Sequence, residues 1–149
     1  MYEKNKTHHS GIVLYSDGGA RGNPGPSAWA FVAKKSGHIV AQGSEYLGSQ
    51  TNNVAEYHGV IAALSWAVRH REELQFPLSV CLDSLLVVQQ LKGLYKIKQK
   101  HLVTLWQHAK ELEKQITQPI VYSHIPRAYN SDADALVNQT LDRIASKSS

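Results

Sequence analysis

Leu78-Ser79-Val80-Cys81-Leu82-Asp83-Ser84-Leu85-Leu86-Val87-Val88-Gln89-Gln90-Leu91 reads as two elements in immediate succession. Leu78 to Leu82 is an apolar run of strand length that ends at Asp83. Ser84 then opens a helical pattern from Leu85 to Leu91, which Gly93 terminates as a C′ residue. A strand therefore hands a carboxylate to a helix N-terminus. On the C-terminal side a basic loop leads into a helix near Leu102 to Lys114. A strand at Ile120 to His124 stops before Pro126, and a last helix turns Ala133, Leu136, Val137, Thr140, Leu141 and Ile144 inward. On the N-terminal side, Val54, Tyr57, Ile61, Leu64 and Val68 recur at steps of three and four, an amphipathic helix with Glu56 in its first turns. Before it lie three strand patterns, Ile12 to Tyr15, Ala28 to Ala33 and Ile39 to Leu47. The last two are joined by the hairpin-like Lys35-Ser36-Gly37-His38. The first strand delivers Asp17 to a turn at Ser16-Asp17-Gly18-Gly19. The order β-β-β-α-β-α-α-β-α predicts an α/β fold with a mixed sheet flanked by helices, its parallel pairs made by right-handed crossovers.

A length of 149 residues fits one domain, predicted over 11–145 between flexible ends at 1–10 and 146–149. Hydrophobic residues at 42% with ten glycines exclude wholesale disorder. No apolar stretch approaches the roughly 18 residues that span a bilayer, so no membrane partner is expected. The lone Cys81 fits a small buried side chain and a reducing cytoplasm. A net charge of +4 favours a polyanionic partner. Lys92, Lys96, Lys98 and Lys100 crowd four lysines into nine residues, either a phosphate-contacting surface or a solvated face.

Four acids stand where ligands gather in open α/β sheets, at strand ends and helix starts: Asp17, Glu56, Asp83 and Asp134. Each has an ordinary explanation as a turn residue, an N-cap or a first-turn dipole partner. Taken jointly they would repel unless cations intervened. Oxygen donors without a Cys or His cluster select hard ions such as Mg²⁺ or Mn²⁺.

Four pieces in order carry a resemblance: Asp17-Gly18-Gly19-Ala20-Arg21-Gly22-Asn23-Pro24-Gly25-Pro26; Thr51-Asn52-Asn53-Val54-Ala55-Glu56-Tyr57; Leu82-Asp83-Ser84-Leu85-Leu86-Val87; and Ile125-Pro126-Arg127 with Asn130 and Ala133-Asp134-Ala135-Leu136. From about Ile12 to Leu141 the chain resembles ribonuclease H type 1. The resemblance implies the ribonuclease H-like fold with a five-stranded mixed sheet. It also implies internal hydrolysis of the RNA strand of an RNA/DNA hybrid, leaving 5′-phosphate and 3′-hydroxyl ends. Asp17, Glu56, Asp83 and Asp134 match the family's acidic ligands for two Mg²⁺ ions, with Mn²⁺ able to substitute. Asn23, Asn52 and Gln89 match minor-groove and sugar contacts, Asn53 belongs to the same motif, and Thr51 matches part of a phosphate pocket. The local alternatives stay open: Asn23 before Pro24 is also a turn former, and Thr51, Asn52 and Asn53 also make a helix cap. A monomer is expected.

The departures are equally specific. The family's long basic protrusion is replaced by the short Lys92 to Lys100 segment, so binding leans on Lys96 and Lys98. Leu85 stands where a groove-reading Gln is common. The loop before Asp134 lacks a Gly-His and instead resembles a subgroup reading Pro-Arg followed by Asn, which points Arg127 to a phosphate or to an ion pair. His124 falls on the preceding strand, with a catalytic role in place of the missing His left open. His58, His70 and His108 fall on helices as packed or surface residues, and Trp29 and Trp66 read as packing residues, while Trp106, near the lysines, stays open between packing and a base-stacking platform. Two other readings stand beside hybrid cleavage: a non-cleaving hybrid-binding module, and another two-metal nuclease on the same fold.

Overall fold

The computed structural model describes residues 11–148. Five strands run β1 (Ile12–Ala20), β2 (Gly25–Lys35), β3 (His38–Gln50), β4 (Leu78–Leu82) and β5 (Ile120–His124). Four α-helices run α1 (Asn52–Arg69), α2 (Leu85–Leu91), α3 (Lys100–Ile116) and α4 (Ser131–Ser148). The order along the chain is the one read from the sequence. The sheet order is β3-β2-β1-β4-β5. The β1–β2 and β2–β3 pairs are antiparallel, while β1–β4 and β4–β5 are parallel. This is the five-stranded mixed sheet flanked by helices that the sequence order implies.

Helices cover both faces of the sheet. On one face Leu14, Phe31, Val80 and Leu82 pack under α1 and α3, with Tyr57, Leu64, Leu102 and Ile116 fully or nearly buried. On the other, Ala28, Ala30, Val32 and Cys81 meet Ala133, Val137 and Leu141 of α4. That arrangement follows from the sequence periods: near-continuous apolar residues in β4 serve two faces, whereas α4 buries one stripe.

Two helix starts are capped by side-chain hydroxyls, and at α2 the cap is Ser84 and not Asp83, for which the sequence left an N-cap role open. Thr51 Oγ1 accepts from Val54 N at 3.3 Å and Ser84 Oγ accepts from Val87 N at 3.2 Å. Gly93, at φ +79°, closes α2: its N–H donates to Gln90 O while Leu94 N–H donates to Gln89 O.

Two details differ from the sequence expectation. Asp17 lies within β1 and not in a turn, because the strand continues through Gly18, Gly19 and Ala20, which pair with Trp29, Ala28 and Ser27 of β2. A long antiparallel neighbour satisfies the backbone of a glycine pair that in isolation reads as a breaker. At the other end, α4 continues through Ser148, so 146–148 prolong a helix. The segment 1–10 and Ser149 lie outside the described residues. No helix among the described residues is long and apolar enough to cross a membrane.

Candidate active site

The parallel β1–β4 pairing sets the site. Tyr15 pairs with Cys81, and two residues further along each chain stand Asp17 and Asp83, past the carboxyl end of the parallel ladder. A third acid arrives because α1 lies directly on the β1 backbone. A Cβ at Gly18 would sit 2.2 Å from the Ala55 carbonyl carbon, and one at Gly59 would sit 2.5 Å from Asp17 O. Two glycines on facing elements thus permit the approach that brings Glu56 to Asp17. Asp134 arrives from the first turns of α4. Together Asp17, Glu56, Asp83 and Asp134 line one cleft of about 510 Å³, with Arg21, Asn52, Arg127 and Asn138 at its wall. Another hollow, of about 550 Å³, lies between β3 and α4, where the Ser44 and Thr140 hydroxyls meet at 2.7 Å. None of the catalytic or substrate-binding candidates named from the sequence lines it.

The carboxylates load one another electrostatically. Burial first, then the Asp83 carboxylate and more weakly Asp134, push the Asp17 carboxyl up to about 7, against the opposing pull of the Gly18 N–H and Arg127. Burial, then Asp17 and Asp83, push Glu56 up to about 8, against a hydrogen bond from Ser84. One cation from the chain already answers this charge: Arg127 Nη2 lies 3.3 Å from Asp134 Oδ1, with the guanidinium side chain 79% exposed. Among the described residues no group of three or more His, Cys, Asp or Glu is arranged to hold a metal ion as it stands. The donor chemistry nevertheless fits a hard divalent cation, being all oxygen, anionic and mutually repulsive.

The rim is organised by amides. Asn52 Oδ1 accepts from Ala20 N at 2.9 Å, and Asn23 Oδ1 accepts from Asn52 N at 3.0 Å. These two bonds orient both amides through their side-chain oxygens. Arg21 donates to Asn138 Oδ1 at 3.3 Å and pairs with Asp142 at 2.7 Å, tying the β1–β2 turn to α4. Thr51 is occupied as the α1 cap, and Asn53 follows it in the first turn.

The structure brings Asp17, Glu56, Asp83, Asp134, Asn52 and Arg127 into the cleft wall, with Asn23 bonded to Asn52 beside it. Gln89, on α2, and Lys96 and Lys98, exposed in the following loop, do not line it. His124 ends β5 outside the lining. Trp106 packs its ring beneath Lys110 and donates to Gln90 O at 3.1 Å.

Sequence reading named Asn130 within a motif but assigned it no role. It is buried at 1% exposure, and its Nδ2 donates to Ser16 O at 2.8 Å and reaches Asp83 Oδ2 at 3.4 Å. Its place in the Pro-Arg-Ala-Tyr-Asn run was a signal. Its partners, 114 and 47 positions away, were not visible from there.

Comparison with known proteins agrees with this geometry. Residues 9–142 match the profile of the RNase H family. The bifunctional protein Rv2228c of Mycobacterium tuberculosis is 40% identical over 136 residues, covering 90% of this chain and 36% of that protein. Ribonuclease HI of Halobacterium salinarum is 40% identical over 133 residues, covering 88% of this chain and 64% of that protein. The crystal structure of LC11-RNase H1 in complex with an RNA/DNA hybrid superposes with a TM-score of 0.84 at 36% identity, covering 90% of this chain and 99% of that one. The fold and its acidic cleft define an RNase H-like α/β domain. The chain belongs to the RNase H family. It spans about a third of the length of the mycobacterial relative and under two-thirds of the archaeal one.

Proposed function

We propose that this chain is a ribonuclease H, an endonuclease that hydrolyses the RNA strand of an RNA/DNA hybrid and leaves 5′-phosphate and 3′-hydroxyl ends. The observation that carries the reading is the convergence of four carboxylates from four elements in one cleft, two of them pushed up by burial and by their neighbours. Asp17, Glu56, Asp83 and Asp134 would hold two Mg²⁺ ions, with Mn²⁺ able to replace them. When bound, such ions activate water at neutral pH and offset charge that develops on the phosphate.

The chain's own groups supply the rest. Among the described residues no Ser, Thr or Cys lines the cleft, which fits water as the nucleophile. Asn130 steadies Asp83 from behind, and the Gly18 N–H holds Asp17 from within its own strand. Arg127, exposed at the cleft mouth and paired to Asp134, is placed to exchange that carboxylate for a phosphate oxygen. The Asn23 and Asn52 amides, already oriented through their oxygens, offer N–H donors to a ribose 2′-hydroxyl, the group that marks a strand as RNA. Thr51, Asn53 and Gln89 belong to the same binding surface, and Lys96 and Lys98 meet phosphates farther along the hybrid. The superposition on a family member solved with an RNA/DNA hybrid supports this substrate class.

The deciding experiment is cleavage of end-labelled hybrid beside matched RNA and DNA duplexes, in Mg²⁺, Mn²⁺ or EDTA, with Asp83→Asn as control. Internal, metal-dependent cutting of the hybrid's RNA strand alone, lost in the variant, supports the proposal. Tight hybrid binding without cutting in either metal would overturn it in favour of a binding module.

A further inference from the structure

Helix α2 is seven residues long, yet it links both halves of the proposed machinery. Asp83 precedes its cap Ser84, and the lysine loop leaves from its far end. The carbonyls at that far end are held by side chains of α3. Trp106 Nε1 donates to Gln90 O at 3.1 Å, and Lys110 Nζ donates to Leu91 O at 2.5 Å. Lys110 also pairs with Glu113 Oε2 at 3.2 Å, and the same oxygen accepts from Tyr122 of β5 at 2.6 Å. Its ammonium lies 5.5 Å from the centre of the Trp106 ring and 5.9 Å from that of Tyr122. The buried Gln90 side chain accepts from Tyr57 OH at 2.7 Å, on the residue after Glu56.

An ordinary surface ion pair contributes little. This one is different, because Lys110 and Glu113 are only 28% and 24% exposed and the cation sits on the carbonyl end of a helix dipole. The loop beyond is built on the same turn: Leu94 N and Tyr95 N both donate to Gln89 O, at 2.9 and 3.2 Å. Whatever holds Leu91 therefore also sets where Gln89 faces and where Lys92, Lys96 and Lys98 start out.

We propose that Lys110 is a positioning residue for hybrid binding, which clamps the C-terminal end of α2 to α3 and so holds Gln89 and the lysine loop at a fixed reach from the carboxylate cleft. This rests on the hybrid-cleavage reading above.

The test compares Lys110→Met, which keeps the apolar stem but loses charge and donor, with Lys110→Arg, which keeps both. Steady-state kinetics on hybrid are run well below each melting temperature, alongside amide hydrogen exchange of the free protein. The expected result for Lys110→Met is a KM raised about 3- to 10-fold with kcat within about twofold. Exchange at the Leu94 and Tyr95 amides should be faster while β4 amides are unchanged, and Lys110→Arg should recover most of both effects. If Lys110→Met fails to fold, Glu113→Gln, which loosens the same ammonium, should shift KM and exchange in the same direction by less. A variant that loses melting temperature with KM and loop exchange unchanged overturns the clamp. If the wild-type chain neither binds nor cuts hybrid, the function reading fails instead, and the exchange data still decide the clamp.

Discussion

Asp17 shows how one side chain couples stability to function. Its carboxyl is raised from 3.8 to about 7 and that of Glu56 from 4.5 to about 8, so the folded state binds more protons than the unfolded chain. The stability contributed by the neutral forms is complete below about pH 4 and is lost as pH rises through about 7 and 8. Asp17→Asn removes the charge while keeping the shape. It should abolish cleavage yet raise the melting temperature at pH 8 in EDTA by about 3–8 °C, roughly 2 kcal/mol, as read by differential scanning calorimetry. A lower melting temperature would show that the carboxylates do not load one another. Gly59 makes the complementary case. Its missing Cβ leaves room for Asp17 O at 2.5 Å, so Gly59→Ala should cost about 1–3 kcal/mol by denaturant unfolding and lower kcat by moving α1, hence Glu56, off β1. All four acids were legible as candidates from their positions at strand ends and helix starts. The glycines that let them meet were not, because a glycine in a helical pattern carries no sign of what faces it.

At the level of elements, periodicity was informative wherever an element buries a face. Val54, Tyr57, Ile61 and Leu64 of the stripe are buried in α1 and Val68 is half-buried, although α1 also buries Ala55, Gly59, Val60, Ala63, Trp66 and Ala67, and the apolar run Leu78 to Leu82 is β4. Periodicity faltered where pairing alone extends a strand. β2 and β3 run on to Gly25 and Gln50, and β1 to Ala20, through residues with no apolar alternation, since backbone hydrogen bonds require no side-chain pattern. The loop after α2 belongs at this scale too. Lys96 and Lys98 are exposed and outside the cleft, so if they meet phosphates their contribution is electrostatic and indifferent to sequence. Replacing both with Ala should weaken binding to every hybrid tested and flatten the slope of log affinity against log salt by roughly one unit per lost contact, measured by fluorescence anisotropy. An unchanged slope would place the binding face elsewhere.

For the whole molecule, the cleft is a concentration of negative charge on a chain whose net charge is +4, and a cation bound there should stabilise the fold by mass action. In EDTA the melting temperature should fall between about pH 5 and 8 as Asp17 and Glu56 ionise. Saturating Mg²⁺ should recover the loss in the wild type and much less of it in Asp83→Asn. A melting curve at pH 8 that ignores Mg²⁺ would sink this expectation. The sequence by itself determined the order of nine elements, the C′ glycine of α2 and the four acids as candidates, because each is written in neighbours within a turn or a strand's length. Only the tertiary structure decided that Asp17 lies inside a strand, that Arg127 rests on Asp134, that Asn130 holds Asp83 and that Lys110 closes α2. The strand continuation depends on pairing with the neighbouring β2, the Asn130 and Lys110 contacts join residues 47 and 19 positions apart, and the Arg127 pair depends on how the turn before α4 folds back, so register and packing settle them while local patterning carries no trace.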